Sequence, residues 1–180
     1  SAPIYRPGMI FLLQDGKRVL TSMRWGLIPS WAKDPSPGPI NARAETVGAK
    51  PMFKRLLKTR RCLVPADGFY EWQKMPGQKA KQPYRFEVAG GELFAFAGLW
   101  DTWVSPQGEE LRTFVIVTTE PNEITKPVHD RMPVILPEAA EEVWLADEAK
   151  APGLLGPFRG RMEAFTVGTV VNAPANDGPE

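Results

Sequence analysis

Hydrophobic residues in this chain come in short blocks divided by turn-forming residues, a spacing typical of strands rather than long helices. Residues 9–13 and 18–25 are two such blocks, joined by Gln14-Asp15-Gly16-Lys17. Asp-Gly between apolar runs predicts a tight hairpin, because both residues tolerate positive φ. Residues 61–64 predict a short strand that runs through Pro65-Ala66-Asp67-Gly68 into Phe69-Tyr70-Glu71-Trp72. Residues 84–88 and 93–99 flank Ala89-Gly90-Gly91 and predict a second hairpin. A β-branched run at 111–118 reads as another strand, and short extended pieces are expected near 162–171. Helical spacing is confined to two places. Residues 42–59 read mainly as helix, interrupted near Gly48 to Pro51, with Phe53, Leu56 and Leu57 inward; residues 137–146 read as a surface helix opened by Pro137. Hairpins with helices outside them predict an α+β fold, mainly an antiparallel curved or barrel-like sheet with flanking helices.

Composition sets the scale of this picture. A chain of 180 residues, 43% hydrophobic and 24% charged, fits one globular domain spanning 1–180. At that length roughly 70% of the unfolded chain's surface can be buried, so a core needs no disulfide or metal staple. Sixteen glycines and 19 prolines favour many short elements and shaped turns. One cysteine rules out an internal disulfide, and one histidine rules out a two-histidine zinc motif, so no metal or cofactor is expected. No apolar run approaches the ~20 residues of a membrane span and no signal peptide opens the chain, which predicts a cytoplasmic location.

Charge adds an asymmetry that the net value of +1 conceals. Residues 1–90 carry sixteen Lys/Arg against six Asp/Glu, and residues 91–180 carry six against fifteen. The densest basic stretch holds Arg43, Lys50, Lys54, Arg55, Lys58, Arg60 and Arg61. A field of this kind attracts phosphates, although a solvated helix face has the same composition.

Three segments are too polar for their apolar surroundings. Asn41, in Pro39-Ile40-Asn41-Ala42-Arg43-Ala44-Glu45, is either the N-cap of the following helix or a site residue. Glu71 sits among Phe69, Tyr70 and Trp72, where desolvation would raise its pKa and suit it to act as a general acid. His129, the only histidine, lies in Pro127-Val128-His129-Asp130-Arg131-Met132-Pro133 just beyond a long strand, a place where site residues collect.

These segments carry a family resemblance. Arg24-Trp25-Gly26-Leu27-Ile28-Pro29-Ser30-Trp31-Ala32, Ile40-Asn41-Ala42-Arg43-Ala44-Glu45-Thr46 and residues 61–72 follow one another in the family's order. Val115-Ile116-Val117-Thr118-Thr119, His129-Asp130-Arg131-Met132-Pro133 and Val171-Asn172-Ala173-Pro174 complete the set. The chain resembles the SRAP family, SOS-response-associated peptidase domains of the DNA damage response that sense abasic sites in single-stranded DNA. The resemblance implies an autopeptidase that removes its initiator Met and exposes a cysteine. The α-amine and thiol of that cysteine trap the aldehyde of the opened sugar as a thiazolidine. It further implies that Asn41 orients the amino-terminal group and the deoxyribose, that Glu71 is the acid/base, and that His129 shuttles protons at the Schiff-base step. Arg43 and Arg131 would hold phosphates, Trp25, Pro29 and Trp31 would shape the DNA channel, and Thr118 would support the site. The expected partner is single-stranded DNA with abasic sites, met by a nucleoid-associated monomer.

One departure stands out. The sequence opens Ser1-Ala2-Pro3-Ile4-Tyr5, without the family's Met-Cys-Gly-Arg start, and Cys62 lies in an apolar strand where a buried, inert thiol is expected. The domain is therefore expected to lack its amino-terminal cysteine segment in this sequence. A non-covalent single-strand binding module and a peptidase acting on other substrates are the alternative readings.

The basic first half generates a prediction. Affinity for single-stranded DNA, read by fluorescence anisotropy, should fall as salt rises, and Arg43→Ala should lower the slope of log K against log salt by about one. Equal affinity at every salt concentration would contradict an electrostatic interface.

Overall fold

The computed structural model describes residues 7–169. In chain order the elements are β1 (Pro7–Gln14), β2 (Lys17–Trp25), β3 (Asn41–Arg43), α1 (Pro51–Thr59), β4 (Arg61–Ala66), β5 (Phe69–Lys74) and β6 (Lys81–Val88). After these come β7 (Phe94–Val104), β8 (Glu110–Thr119), β9 (Met132–Pro133), β10 (Ile135–Leu136), α2 (Glu138–Ala146) and β11 (Met162–Thr166).

Five strands close on themselves in the order β7-β4-β1-β2-β8, with β8 returning to pair with β7. Most contacts in this ring are antiparallel, beginning with the Asp15-Gly16 hairpin between β1 and β2. The seam between β2 and β8 is parallel and short, pairing Arg24 with Thr113 and Trp25 with Phe114. Side chains alternate across the barrel wall, as the two-residue strand period requires. Ile10, Leu12, Met23, Cys62, Val64, Phe96, Trp100, Phe114 and Ile116 fill the interior. Leu63, Ala97, Leu99, Val115 and Val117 point outward and are covered by Phe53, Leu56 and Leu57 of α1 and Trp144 and Leu145 of α2. The strands β4, β7 and β8 are thus apolar on both faces.

The interior is narrow. A Cβ added at Gly98 would come within 2.8 Å of Cys62 Sγ and 3.2 Å of the Val115 carbonyl oxygen. Outside, one buried cation fastens both helices. Arg61 donates to the carbonyls of Leu57 and Lys58 at the end of α1, and of Trp144 and Leu145 at the end of α2. Helix C-termini leave carbonyls unpaired and carry partial negative charge, so a guanidinium satisfies both needs at once.

A second sheet, β11-β6-β5, packs Phe69, Tyr84, Phe86 and Met162 onto the interior cluster and covers one end of the barrel. No helix among the described residues is long and apolar enough to cross a membrane.

The sequence-based expectation of an α+β, barrel-like fold matches the architecture, and three local expectations do not. Residues 42–59 are not one helix: Asn41–Arg43 is a strand, 44–50 are turns, and only Pro51–Thr59 is helical. Pro51 is the reason, because it disfavours helical backbone at Lys50, which is extended at φ −70°, ψ 129°. Asn41 is therefore not an N-cap. The hairpin expected around Ala89-Gly90-Gly91 does not form either, since β6 pairs with β5 and β11 while β7 pairs with β4, β8 and β10. β7 is buried almost throughout and belongs in the barrel wall, whereas β6 is only half covered. The extended piece near 162–171 is β11 as far as Thr166; residues 170–171, like the Val171-Asn172-Ala173-Pro174 motif and the opening residues 1–6, lie outside the described residues.

Overfilling the barrel should be costly. Gly98→Ala should destabilise by about 1–3 kcal/mol in urea unfolding, because the new methyl meets Cys62 and Val115 backbone that cannot retreat. A neutral substitution would show that the interior has slack.

Candidate active site

β8 is longer than the barrel it closes, and its free end builds the site. Past the seam with β2, one edge pairs in parallel with β3: Asn41 with Ile116, Ala42 with Val117 and Arg43 with Thr118. The opposite edge takes β9, pairing Thr118 with Pro133 and Thr119 with Met132. Ala42 turns into the outer core, which leaves Asn41 and Arg43 on the other side with Thr118. β5 lies opposite, and between them is a cavity of about 880 Å³. Its floor is the barrel interior at Val64, Phe96, Phe114 and Ile116, and Asn41, Arg43, Glu71, Thr118, His129 and Arg131 line its walls. Pro7 and Gly8, where the described chain begins, also line it.

Glu71 and His129 face each other, with Nε2 of the imidazole 3.8 Å from Oε2 of the carboxylate. That separation is too long for a direct hydrogen bond but close enough for strong charge coupling. Burial pushes the Glu71 carboxyl above its ordinary pKa; a charged His129 opposes the shift and the Asp130 carboxylate adds to it. On its other side His129 Nδ1 lies 3.1 Å from both the backbone nitrogen and the carbonyl oxygen of Arg131. A carboxyl whose pKa is raised by burial, set beside an imidazole, is a pairing suited to acid–base exchange.

Two braces fix this pair. Gln73, two residues beyond Glu71 on β5, donates from Nε2 to the Pro127 carbonyl at 2.8 Å and so ties the strand to the histidine segment. Asn122 Oδ1 accepts from the backbone N–H groups of Ile124 and Thr125 and from the Thr125 hydroxyl, while the Thr125 carbonyl receives the N–H of His129. These residues were not singled out from sequence. Asn-x-x-Thr at 122–125 is a local turn signal that could have marked the brace. Glu45, which the sequence shows only as the end of the Asn41 segment, grips the Arg131 guanidinium at 2.8 and 2.9 Å, and this pairing holds the Glu45 carboxyl down to about 2. The two residues are 86 positions apart, so no local pattern could pair them.

The structure brings together Asn41, Arg43, Glu71, Thr118, His129 and Arg131, and Trp25 joins them. The Trp25 ring stacks on Phe114 at 6.2 Å and donates from Nε1 to the Ile40 carbonyl. Pro29 and Trp31 are not brought there. Leu27 and Ile28 are drawn into the core, with the Ile28 N–H on Thr113, and Pro29 follows them inward. Trp31 is 66% exposed, on a loop that Asp101 holds through the Ser30 N–H. Arg131 donates to Glu45 and to the Thr118 carbonyl and hydroxyl, so its guanidinium is already well engaged. Arg43 is far more open, with a single 3.9 Å ion pair, to Glu45, among the described residues. Cys62 is fully buried in the barrel, and burial pushes its thiol pKa far up, away from the thiolate needed for reaction.

The fold and the cavity together define a closed-barrel protein with a pocket at its mouth in which a desolvated carboxyl faces an imidazole. The chain belongs to the SOS response associated peptidase (SRAP) family, whose model matches residues 2–174. It is 45% identical to the abasic site processing protein YoqW of Bacillus subtilis (strain 168), over 96% of this chain and 80% of that protein. It is 38% identical to the abasic site processing protein HMCES of Gallus gallus, over 92% of this chain and 57% of that longer protein. Among solved structures, a protein from Bacteroides thetaiotaomicron superposes with a TM-score of 0.86 at 32% identity, covering 98% of this chain and 81% of that one.

The raised Glu71 pKa has a stability consequence whose sign is fixed. A carboxyl whose pKa is higher folded than unfolded destabilises the fold as pH rises from the unfolded value through the folded one, because charging is then harder in the native state. Glu71→Gln removes that penalty. Thermal melts should show the variant gaining on the parent at pH 8 and losing that gain at pH 4; an equal difference at both would place Glu71 in an unperturbed setting.

Proposed function

We propose that this protein recognises an abasic site in single-stranded DNA and shields it by covalent capture, with Asn41, Glu71 and His129 carrying the chemistry. The observation behind this reading is their convergence. Three residues from β3, β5 and the segment before β9 meet at one cavity, and the carboxyl among them is desolvated beside an imidazole. The names of YoqW and HMCES, both abasic site processing proteins, support the same substrate.

In this reading the sugar ring opens when a proton leaves its C1 hydroxyl and another reaches the ring oxygen, giving an aldehyde; Glu71 is the acid/base for that exchange. An α-amine then adds to the aldehyde and water leaves, forming an imine, with His129 relaying the protons. A thiol on the same residue adds to the imine carbon and closes a five-membered thiazolidine, so the net by-product is one water. Asn41 orients the amine and the sugar. Arg43 is the open cation for a flanking phosphate, and the exposed faces of Trp25 and Tyr70 can stack on unpaired bases.

The thiol cannot be that of Cys62, which is buried and whose amine lies in a peptide bond. The proposal therefore places the nucleophile on an amino-terminal cysteine joined ahead of these residues and freed by autocatalytic removal of Met. Pro7 and Gly8 on the cavity wall support this, since β1 begins at the site. The protein would act as a monomer in the cytoplasm, on DNA of the nucleoid.

The test is a denaturing gel after incubation with an oligonucleotide whose single uracil has been excised. The version bearing the amino-terminal cysteine should give a heat-stable adduct, and the 180 residues alone should give none. Glu71→Gln and His129→Ala should slow adduct formation about 10²- to 10⁴-fold while leaving non-covalent binding nearly intact. No adduct from the cysteine-bearing protein would favour the non-covalent binding module, and an adduct mapping to Cys62 would refute the assignment of the nucleophile.

A further inference from the structure

We propose that Glu45 is a positioning residue of this site: by holding Arg131 against Thr118 it fixes the backbone that meets Nδ1 of His129, and so the aim of Nε2 at Glu71. The proposal rests on reading the cavity as the reacting site. Glu45 binds the Arg131 guanidinium through both oxygens, Oε1 to NH1 at 2.8 Å and Oε2 to NH2 at 2.9 Å, the paired geometry that fixes direction as well as distance. The same NH2 goes on to the Thr118 carbonyl at 3.0 Å and hydroxyl at 3.2 Å, while Nε is buried and has no hydrogen-bond partner among the described residues. Without Glu45 the largely buried cation would keep only Thr118.

What this anchors is the backbone of Arg131. Its N–H and its C=O are each 3.1 Å from His129 Nδ1. When Nε2 carries the proton, Nδ1 accepts from that N–H; when Nε2 is bare, Nδ1 carries the proton and donates to that C=O. With Nδ1 protonated and donating to that C=O, Nε2 can take up a proton to give the imidazolium and release it again without the ring turning. Asp130 Oδ1 lies further from Nδ1, at 3.4 Å, so the closest partners depend on the register of the Arg131 backbone, whose side chain Glu45 reaches from the turn that follows β3. The link joins the Asn41 side of the cavity to the His129 side.

A simpler role for Glu45, as counter-charge to Arg43 and Arg131, predicts a different effect on the reaction rate. Removing a mere counter-charge would strengthen DNA binding and leave the reaction as fast or faster. Removing a positioning group leaves binding equal or stronger but slows the reaction.

The experiment uses Glu45→Gln and Glu45→Asp. His129 is the only histidine, so histidine-selective ¹⁵N labelling gives one Nδ1 and one Nε2 signal without assignment. In Glu45→Gln both signals should shift, with Glu45→Asp closer to the parent. Anisotropy should show equal or tighter binding of single-stranded DNA by Glu45→Gln, and the cysteine-bearing version of that variant should form adduct about tenfold or more slowly. Unchanged ring signals with unchanged or faster adduct formation would overturn the proposal. So would a joint loss of melting temperature and DNA binding, which would make Glu45 a support of the fold alone. If the parent forms no adduct, the functional reading fails, and the ring signals still decide the positioning role.

Discussion

The structure depends on one strand having more edge than the barrel needs. β8 pairs with β7 along residues 110–116 to close the ring and meets β2 at only two positions on its other edge. Beyond Phe114 that second edge passes to β3, and beyond Ile116 the first passes to β9. Unpaired strand edges are costly when buried, so the last residues of β8 recruit two short strands from distant parts of the chain. Those strands bring Asn41 and the segment holding His129. The demand for backbone hydrogen bonds thus places side chains that share no local sequence.

A second consequence follows from the covering sheet. β5 closes the barrel end with Phe69 on the interior cluster, and the same strand carries Glu71 into a partly dry cavity. The desolvation that comes with this position is the main cause of the raised Glu71 pKa. Gln73 and the Asn122–Thr125 turn keep the facing histidine at a fixed distance, so the strain of an isolated acid is held rather than relaxed.

The basic stretch of the first half is divided among several tasks. Arg61 ends two helices, Arg55 pairs with the buried Asp101, and Arg60 lies over the Trp100 ring at 4.2 Å. Arg43 alone among these lines the cavity. A sum of charges therefore overstates the field offered to DNA, because a guanidinium's directional donors are as useful inside a fold as on its surface.

By itself the sequence determined the class of fold, most of the strand blocks, the inward face of α1, the buried state of Cys62 and most of the polar residues that the fold gathers at the cavity. These rest on local periodicity, turn chemistry and motif spacing, which the chain carries wherever it folds. Only the tertiary structure decided that Asn41 is a strand residue, since its helical setting is cut off by Pro51 and its partner Ile116 lies 75 positions away. It also decided that β6 and β7 part company, that Pro29 and Trp31 stay clear of the cavity, and that Glu45 holds Arg131. Each of these turns on a pairing between distant segments, and a hydrogen bond between such segments leaves no periodic trace in either of them.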